Sequence, residues 1–233
     1  MTHGRVGILG GTLDPVHEGH LQAARLAWRT INLERVLLMP SHVPPHRAQQ
    51  PLASPFHRFA MAAIAAASEP WLAASDLELL APGPTYTADT LERLRRAGLS
   101  GPRIFFIIGA DAFAEIDTWS RYPGVLNMAH FVVISRPGLA ASDLPARLPA
   151  LASRMRAADG AGAEAPDTAI HLVDGATPDV SSTGIRDRRL RGAPIDGLVP
   201  PGVAAHILRH GLYSASQPLH PALTTADHLH GQD

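Results

Sequence analysis

Near its start the chain reads Gly10-Gly11-Thr12-Leu13-Asp14-Pro15-Val16-His17-Glu18-Gly19-His20. The preceding residues, Val6-Gly7-Ile8-Leu9, predict a buried strand, and the following residues, Leu21–Trp28, predict a helix. The glycines and the two histidines therefore stand where a strand passes into a helix. A helix N-terminus carries free N–H groups and a partial positive charge, which suit an anion such as phosphate. Because glycine also lets a ligand approach the backbone closely, this stretch predicts an anion-binding turn.

Strand and helix patterns alternate along the rest of the chain. Apolar runs predict further strands at Arg35–Pro40, Leu72–Leu80, Arg103–Gly109, Phe131–Gly138 and Ala169–Val173. Helices are predicted at Pro55–Ala65, Thr87–Arg96, Leu144–Ala157, from Ser181 onward and at Pro201–His210, with Gly98 as a C-terminal cap. This alternation predicts an α/β protein with a Rossmann-like, doubly wound parallel sheet. Ligands bind such sheets at the carboxyl ends of the strands, where several polar segments of this chain fall.

The domain organisation follows from these patterns. We expect a single domain over residues 1–213, with a small C-terminal helical part at about 181–213. The segment Asp159–Asp167 is rich in Ala and Gly and is expected to be a flexible link. Residues 214–233 have little apolar pattern and are expected to form a disordered tail.

The composition excludes several classes of function. Hydrophobic residues make up 45% of the chain and charged residues 18%, which supports a globular core. The formal net charge of -1 gives no general attraction to nucleic acid or to an acidic membrane. With no cysteine, disulfides, thiolate metal sites and cysteine catalysis are excluded. No apolar run approaches the roughly 20 residues that span a bilayer, and the N-terminus lacks a signal peptide's apolar region. We expect a cytoplasmic protein; whether it forms a homo-oligomer stays open.

His17 and His20 admit three interpretations, because their spacing places both rings on one face of the first helical turn. They could bind a metal, lie at the surface as ordinary capping residues, or bind phosphate. No Glu or Cys stands at the expected zinc spacing, and the glycines immediately upstream favour phosphate. The stretch is not a Walker loop, since Gly-Lys-Ser/Thr is absent, and its glycine spacing differs from a dinucleotide fingerprint.

A second candidate phosphate site is Val180-Ser181-Ser182-Thr183-Gly184-Ile185-Arg186. Ser and Thr are strong N-caps, so this segment is expected to open a helix whose N–H groups and hydroxyls favour an anion. Arg186, one turn in, could hold the same anion through two hydrogen bonds. The alternative is a plain cap followed by a solvated arginine face.

Together the two segments resemble the signatures of the nucleotidyltransferase superfamily with a His-x-Gly-His motif and a Ser-Ser-Thr-x-x-Arg motif. Within it, the chain is most similar to bacterial nicotinate-nucleotide adenylyltransferases. Supporting segments are Pro44–Arg47, Pro84–Leu91, Ile108–Asp111 with Trp119, Ser135–Gly138, and Val199–Pro200 to Gly211–Tyr213. The resemblance runs in order from Arg5 to Tyr213 and leaves residues 214–233 uncovered. Leu13 stands where the family commonly has Phe, a change of volume that should not disturb the chemistry.

The resemblance implies adenylyl transfer in NAD biosynthesis. ATP and nicotinate mononucleotide would give nicotinate adenine dinucleotide and pyrophosphate. A phosphate is already a competent nucleophile, so the protein would act by positioning and by electrostatic stabilisation. Mg²⁺ would enter bound to ATP, with no dedicated metal site on the protein.

The resemblance also implies the residues of each half-site. For ATP they are Gly10, Gly11, Thr12, His17, His20, Gly109, Asp111, Ser182, Thr183 and Arg186, of which His17, His20 and Arg186 would be catalytic. For nicotinate mononucleotide they are His46, Arg47, Thr87, Trp119 and Arg136. Thr87 and Trp119 would form the nicotinate pocket, and His46 and Arg47 would face the mononucleotide phosphate or the pyrophosphate. Asp111 has an alternative as a cap after the strand, and Trp119 as a core aromatic residue.

Other functions share part of this pattern. Adenylyltransferases of the same superfamily take nicotinamide mononucleotide or pantetheine phosphate as acceptor, and cytidylyltransferases are more distant relatives. An aminoacyl-tRNA synthetase would need an anticodon domain, for which this chain has no room, and a Lys-Met-Ser-Lys-Ser loop, which the sequence lacks. A non-catalytic nucleotide-binding protein is a further alternative, which the intact histidines and Arg186 disfavour.

Overall fold

Seven parallel strands form one sheet in the computed structural model, which describes residues 4–42, 52–80, 83–158 and 167–215. The strands are β1 (Val6–Gly11), β2 (Arg35–Pro40), β3 (Leu72–Ala74), β4 (Ile104–Gly109), β5 (His130–Ile134), β6 (Met155–Ala157) and β7 (Ile170–Val173). Their order in the sheet is β3-β2-β1-β4-β5-β7-β6, and each neighbouring pair is parallel. The predicted Rossmann-like parallel sheet is confirmed.

Helices cover both faces of this sheet. They are α1 (Glu18–Ile31), α2 (Pro55–Ala66), α3 (Thr87–Arg96), α4 (Ala110–Phe113), α5 (Leu144–Arg147), α6 (Ser182–Leu190) and α7 (Pro201–Arg209). One apolar core holds buried side chains of α1, α2, α6 and α7, among them Ala24, Met61 and Val203. The other core holds side chains of α3, α4 and α5, among them Leu91 and Phe113. Because both faces are buried, strands such as β4 read as continuous apolar runs.

The chain reverses its direction across the sheet between β1 and β4. It runs outward from β1 to β2 and β3 and then returns to β4, which pairs with the other edge of β1. In open α/β sheets the crevice at such a switch point binds ligands. The crevice between β1 and β4 is therefore the expected ligand site. The glycines that end β1 lie there, as does Gly109 at the end of β4.

Two predicted elements are wrong. The strand expected over Leu72–Leu80 ends at Ala74, because the N–H groups of Leu79 and Leu80 turn back to the carbonyl of Asp76. The helix expected over Leu144–Ala157 stops at Arg147, and the chain then forms a 3-10 helix and the edge strand β6. Pro149 has no N–H to continue the helix, and Met155–Ala157 gains parallel pairing with β7 instead.

Most other predicted elements agree with the structure within a few residues. The helix after the first turn begins earlier than expected, at Glu18, and the strand expected over Phe131–Gly138 ends at Ile134. Gly98 adopts φ +96° and donates its N–H to Arg95, so it ends α3 as predicted. Residues 159–166 of the predicted link and 216–233 of the predicted tail lie outside the described residues. The limits 1–213 and 181–213 stay predictions.

A buried histidine pair lies between β5 and β7. His130 Nδ1 and His171 Nε2 are 3.2 Å apart, and Phe105 stacks on the His130 ring with centroids 4.5 Å apart. Burial, reinforced by the positive charges of Arg156 and Arg5, lowers the pKa of each histidine from 6.5 to about 4. Both rings are therefore neutral at pH 7.

We expect this pair to make the protein sensitive to acid. Below pH 6.5 the unfolded chain takes up protons on these residues, whereas the folded chain does so only near pH 4. Stability is therefore complete above pH 6.5 and falls between pH 6.5 and 4, by on the order of 3 kcal/mol for each histidine. Urea unfolding at pH 7.5 and pH 5 measures the loss, which His171→Asn should reduce and the control Gly124→Ala, whose added methyl group meets nothing within 4 Å, should leave unchanged. An equal loss in His171→Asn and wild type would contradict this assignment.

Candidate active site

A cleft of about 390 Å³ opens at the carboxyl ends of the central strands. Ten predicted site residues line it: Gly10, Gly11, Thr12, His20, Thr87, Gly109, Asp111, Trp119, Arg136 and Ser182. They come from well-separated parts of the chain. The structure thus brings both signature segments and the expected acceptor pocket to one cavity.

Three predicted residues within the described part of the chain do not line this cleft. His17 is buried directly behind His20, and Thr183 and Arg186 lie one step along α6 from Ser182. His46 and Arg47 lie outside the described residues.

The two histidines form a stacked pair at the start of α1. Their ring centroids are 3.7 Å apart, and the backbone N–H of His17 donates to Nδ1 of His20 at 3.3 Å. This bond makes Nδ1 of His20 the acceptor, so its Nε2 carries the proton. Burial, followed by the charge of Arg136, lowers the pKa of His17 to about 4. His17 is therefore a neutral hydrogen-bonding group at pH 7 and not the charged donor that the sequence allowed.

Because Gly19 has no side chain, the His17 ring can pack closely against it. A Cβ atom at this position would lie 3.1 Å from both Cε1 and Nδ1 of His17 and 3.2 Å from Cγ1 of Val180. His17 is 3% exposed and Val180 8% exposed, so neither can move away freely. The glycine between the two histidines is thus required by packing.

The N-terminus of α6 is tied to the turn that follows β1. The Ser181 hydroxyl accepts from the N–H of Gly184 at 3.1 Å, as the predicted N-cap requires. The Ser182 hydroxyl donates to the carbonyl of Pro15 at 2.9 Å. Arg186 donates to the carbonyl of Asp14 at 2.8 Å and to the Thr183 hydroxyl at 3.1 Å. The two signature segments therefore form one hydrogen-bonded unit.

A buried Arg58 holds the same turn from the side of α2. Its guanidinium donates to the carbonyls of Thr12 and Ser41, to that of His42 at 3.1 Å and to that of Ala53 at 3.3 Å. The side chain is 0% exposed, and burial lowers its pKa from the usual arginine value. A buried charge with several acceptors fixes the backbone around it.

Asp14 links the turn to two further segments. Its carboxylate accepts the N–H groups of Leu52 (2.8 Å) and Ala53 (3.1 Å) and the Tyr213 hydroxyl (2.6 Å). Burial and the Asp14 charge raise the pKa of Tyr213 well above its usual value, so the hydroxyl remains a donor. The anion-binding turn is thus held by contacts far away in the sequence.

On the β4 and β5 side, Arg136 lies 3.7 Å from the Asp111 carboxylate. A Cβ atom at Gly109 would lie 2.5 Å from Asp111 Oδ1, so glycine allows this close approach. Asp111 is in the first turn of the short helix α4. Its contact with Arg136 favours a place in the site over the alternative of a helix cap.

The other half of the cleft is flat and apolar with a polar floor. Trp119 meets Phe106 edge-on, with centroids 6.1 Å apart, and is only partly buried against the core. Thr87 begins α3 beside it. Trp119 therefore packs against the core with part of its surface and lines the cleft with another part.

Three polar residues of this half were missed from the sequence: Ser41, Glu78 and Thr85. The hydroxyl oxygen of Ser41 is buried and makes no hydrogen bond in the described part of the chain. Glu78 was missed because it lies within Leu72–Leu80, which was wrongly predicted to be a strand. The turn that begins at Asp76 could have been found from Ser75-Asp76, since these residue types favour turns.

Within the four described ranges, no group of three or more His, Asp or Glu side chains is arranged to hold a metal ion. Among the helices of the same ranges, none is long and apolar enough to cross a membrane.

Comparison with known proteins agrees with this architecture. The chain is 40% identical over 216 residues to the probable nicotinate-nucleotide adenylyltransferase of Roseiflexus sp. (strain RS-1), which covers 91% of this chain and 100% of that protein. It is 39% identical over 213 residues to the similarly named protein of Acidothermus cellulolyticus, covering 90% of this chain and 94% of that one.

Solved structures show the same fold at low sequence identity. The Plasmodium falciparum nicotinic acid mononucleotide adenylyltransferase complexed with NaAD superposes with a TM-score of 0.69 and 16% identity, covering 91% of this chain and 98% of that one. A family model described as cytidylyltransferase-like matches residues 8–188. The chain therefore belongs to the cytidylyltransferase-like family, among its nicotinate-nucleotide adenylyltransferases.

Proposed function

We propose that this enzyme transfers the adenylyl group of ATP to nicotinate mononucleotide, releasing pyrophosphate and forming nicotinate adenine dinucleotide. The observation that carries the proposal is the single cleft that both signature segments and the Trp119 pocket share. Relatives at 39–40% identity are named nicotinate-nucleotide adenylyltransferases, which supports the same acceptor.

The reaction requires two polyanions to be held in line. A 5′-phosphate oxygen of the mononucleotide forms a bond to the α-phosphorus of ATP, and the bond from that phosphorus to the bridging oxygen of pyrophosphate breaks. The attacking phosphate needs no general base, so catalysis rests on alignment and on neutralising the charge of the leaving pyrophosphate.

On the ATP side, the turn after β1 and the start of α6 would hold the phosphates. Gly10, Gly11 and Thr12 line the cleft with little side-chain bulk, so the nucleotide can approach the backbone. His20 would donate its Nε2 proton to a phosphate oxygen, and neutral His17 would support the His20 ring from behind.

The start of α6 would bind the β- and γ-phosphates through Ser182, Thr183 and Arg186. Arg186 keeps donors beyond the two that it uses for Asp14 and Thr183, because a guanidinium has five N–H groups. Gly109 and Asp111 would bind the nucleoside part of ATP.

On the acceptor side, Thr87 and Trp119 would enclose the nicotinate ring, with Arg136 adding positive charge nearby. His46 and Arg47 are proposed, from the sequence alone, to face the mononucleotide phosphate. We also propose that Mg²⁺ arrives with ATP. Of the carboxylates that line the cleft, Asp111 is 62% exposed and near enough to solvent to meet a hydrated ion held mainly by phosphates.

The test is pyrophosphate release from ATP with nicotinate mononucleotide, nicotinamide mononucleotide or phosphopantetheine offered in turn. We expect nicotinate mononucleotide to give the highest kcat/KM. No release with any of the three would overturn the proposal that the protein is this enzyme, and a preference for phosphopantetheine would overturn its acceptor.

We expect Gly19→Ala to lower kcat by about 10-fold, because a 1 Å misplacement of catalytic groups can cost about 100-fold and this one is smaller. The added methyl group would push the buried His17 ring, and with it His20, by a few tenths of an ångström. Pyrophosphate release measures the change. Gly124→Ala, whose Cβ meets nothing within 4 Å, is the matched control. Equal kcat in the two variants would contradict the packing argument.

A further inference from the structure

Glu78 is a buried acid in the acceptor half of the cleft. Its side chain lines the cavity, although the residue is only 6% exposed. The Thr90 hydroxyl of α3 donates to its Oε1 at 2.7 Å. This bond orients the carboxyl group, which has no role in the adenylyl transfer itself.

No positive partner neutralises this carboxyl within ion-pair distance. Among the ion pairs of residues 4–42, 52–80, 83–158 and 167–215, none includes Glu78. The charged groups that face it are Arg58 of α2 and Arg93 of α3, which lower its pKa. Burial outweighs them and raises the pKa above the usual glutamate value. A carboxyl group buried without a partner is costly, so the free enzyme holds an unpaired negative site.

The rest of this half-site suits a flat cation. Trp119 and Phe106 provide aromatic walls, and an indole face attracts positive charge. The ring nitrogen of a pyridine mononucleotide carries the glycosidic bond, so the ring is a pyridinium cation. It is the only positively charged part of either substrate.

We propose that Glu78 is the counter-charge of the acceptor's pyridinium ring and thereby selects cationic rings over neutral rings of the same shape. This inference rests on the proposed function. The pyridinium would supply the positive partner that Glu78 lacks in the free protein, and Thr90 would support the ionised carboxylate.

A proton linkage follows from this pairing. Since the bound cation favours the ionised carboxylate, binding lowers the pKa of Glu78 and releases a proton where the free acid is protonated. Affinity for the cationic ring should therefore fall as the pH drops through the raised pKa of Glu78. The phosphate of the ligand titrates too, but it does so equally in all variants.

Two ligands separate charge from shape: nicotinate mononucleotide and the 5′-phosphate of 3-carboxyphenyl C-riboside, whose ring is uncharged. Calorimetry at pH 8 should give a Kd for wild type that is about 10- to 100-fold lower for the cationic ring. Glu78→Gln should raise the Kd of the cationic ring by a similar factor and change that of the neutral ring less than about threefold. Glu69→Gln is the control, because it removes one charge from an acid that pairs with Arg25 and does not line the cleft.

The pH dependence of the Kd for the cationic ring is a further test, because a purely structural role of Glu78 would leave it unchanged. Thr90→Val removes a hydrogen bond that favours the ionised form, so the loss of affinity should begin at higher pH than in wild type. In Glu78→Gln this loss should be absent.

Equal wild-type Kd values for the two ligands would overturn the proposal that Glu78 is the counter-charge, and this comparison needs no substitution. An equal rise of both Kd values in Glu78→Gln would overturn it as well. A wild type that neither binds nor adenylylates the mononucleotide would instead refute the proposed function, and this inference with it.

Discussion

His20→Ala is expected to lower kcat for adenylyl transfer by about 10²- to 10³-fold, the usual cost of removing one donor from a site where charge develops. His20 lines the cleft at the start of α1, and its tautomer is fixed by the N–H of His17. The protonated Nε2 would meet negative charge that grows on the phosphate oxygens as pyrophosphate leaves. Because the substrate phosphates are already anionic, KM for ATP should change much less than kcat.

The fold should survive this substitution. His20 loses one capping contact of α1, which costs about 1 kcal/mol, and the core behind it is untouched. Pyrophosphate release gives kcat, and thermal unfolding checks the fold. His210→Ala, at an exposed site on the far end of α7, serves as the control. If His20→Ala retained kcat within about threefold of the control, the transition-state role of the pair would be wrong.

Arg186→Lys is expected to lower kcat/KM for ATP by about 100-fold, although it keeps the positive charge. Arg186 uses one nitrogen for the carbonyl of Asp14 and another for the Thr183 hydroxyl, which leaves further donors for phosphate. Lysine offers a point charge that cannot hold the turn and the nucleotide together.

A neighbouring arginine on the same helix provides a matched control. Arg188 is exposed and donates to the carbonyl of Pro194, outside the cleft. Arg188→Lys should leave kcat/KM for ATP within about twofold of wild type, since surface changes of this kind have small effects. The same loss in both variants would mean that it comes from a general effect on α6 and not from the hydrogen-bond donors of Arg186.

The sequence predicted the central part of the fold best, for a physical reason. Strands β1, β2 and β4 are buried on both faces and read as uninterrupted apolar runs, and Thr87–Arg96 has an amphipathic helical pattern. At the sheet edges the pattern is weak. β6 is three residues long with two exposed side chains, and only its pairing with β7 makes it a strand.

The candidate site was predicted where local motifs carry it and missed where tertiary contacts do. The histidines and the Ser181–Arg186 segment are contiguous signals at helix starts. Glu78 and Arg58 carry no local signal, because the importance of each comes from burial among groups remote in sequence. The neutrality of His17 is likewise a property of its burial that spacing alone does not predict.

The bond between Asp14 and Tyr213 spans 199 positions of the chain. During synthesis the turn after β1 is made long before the Tyr213 hydroxyl, which completes the surroundings of Asp14 and follows it by 199 positions. An unfinished or prematurely terminated polypeptide therefore displays the nucleotide motif without its final support. The order of translation thus delays the full assembly of this turn until the chain has been made through Tyr213.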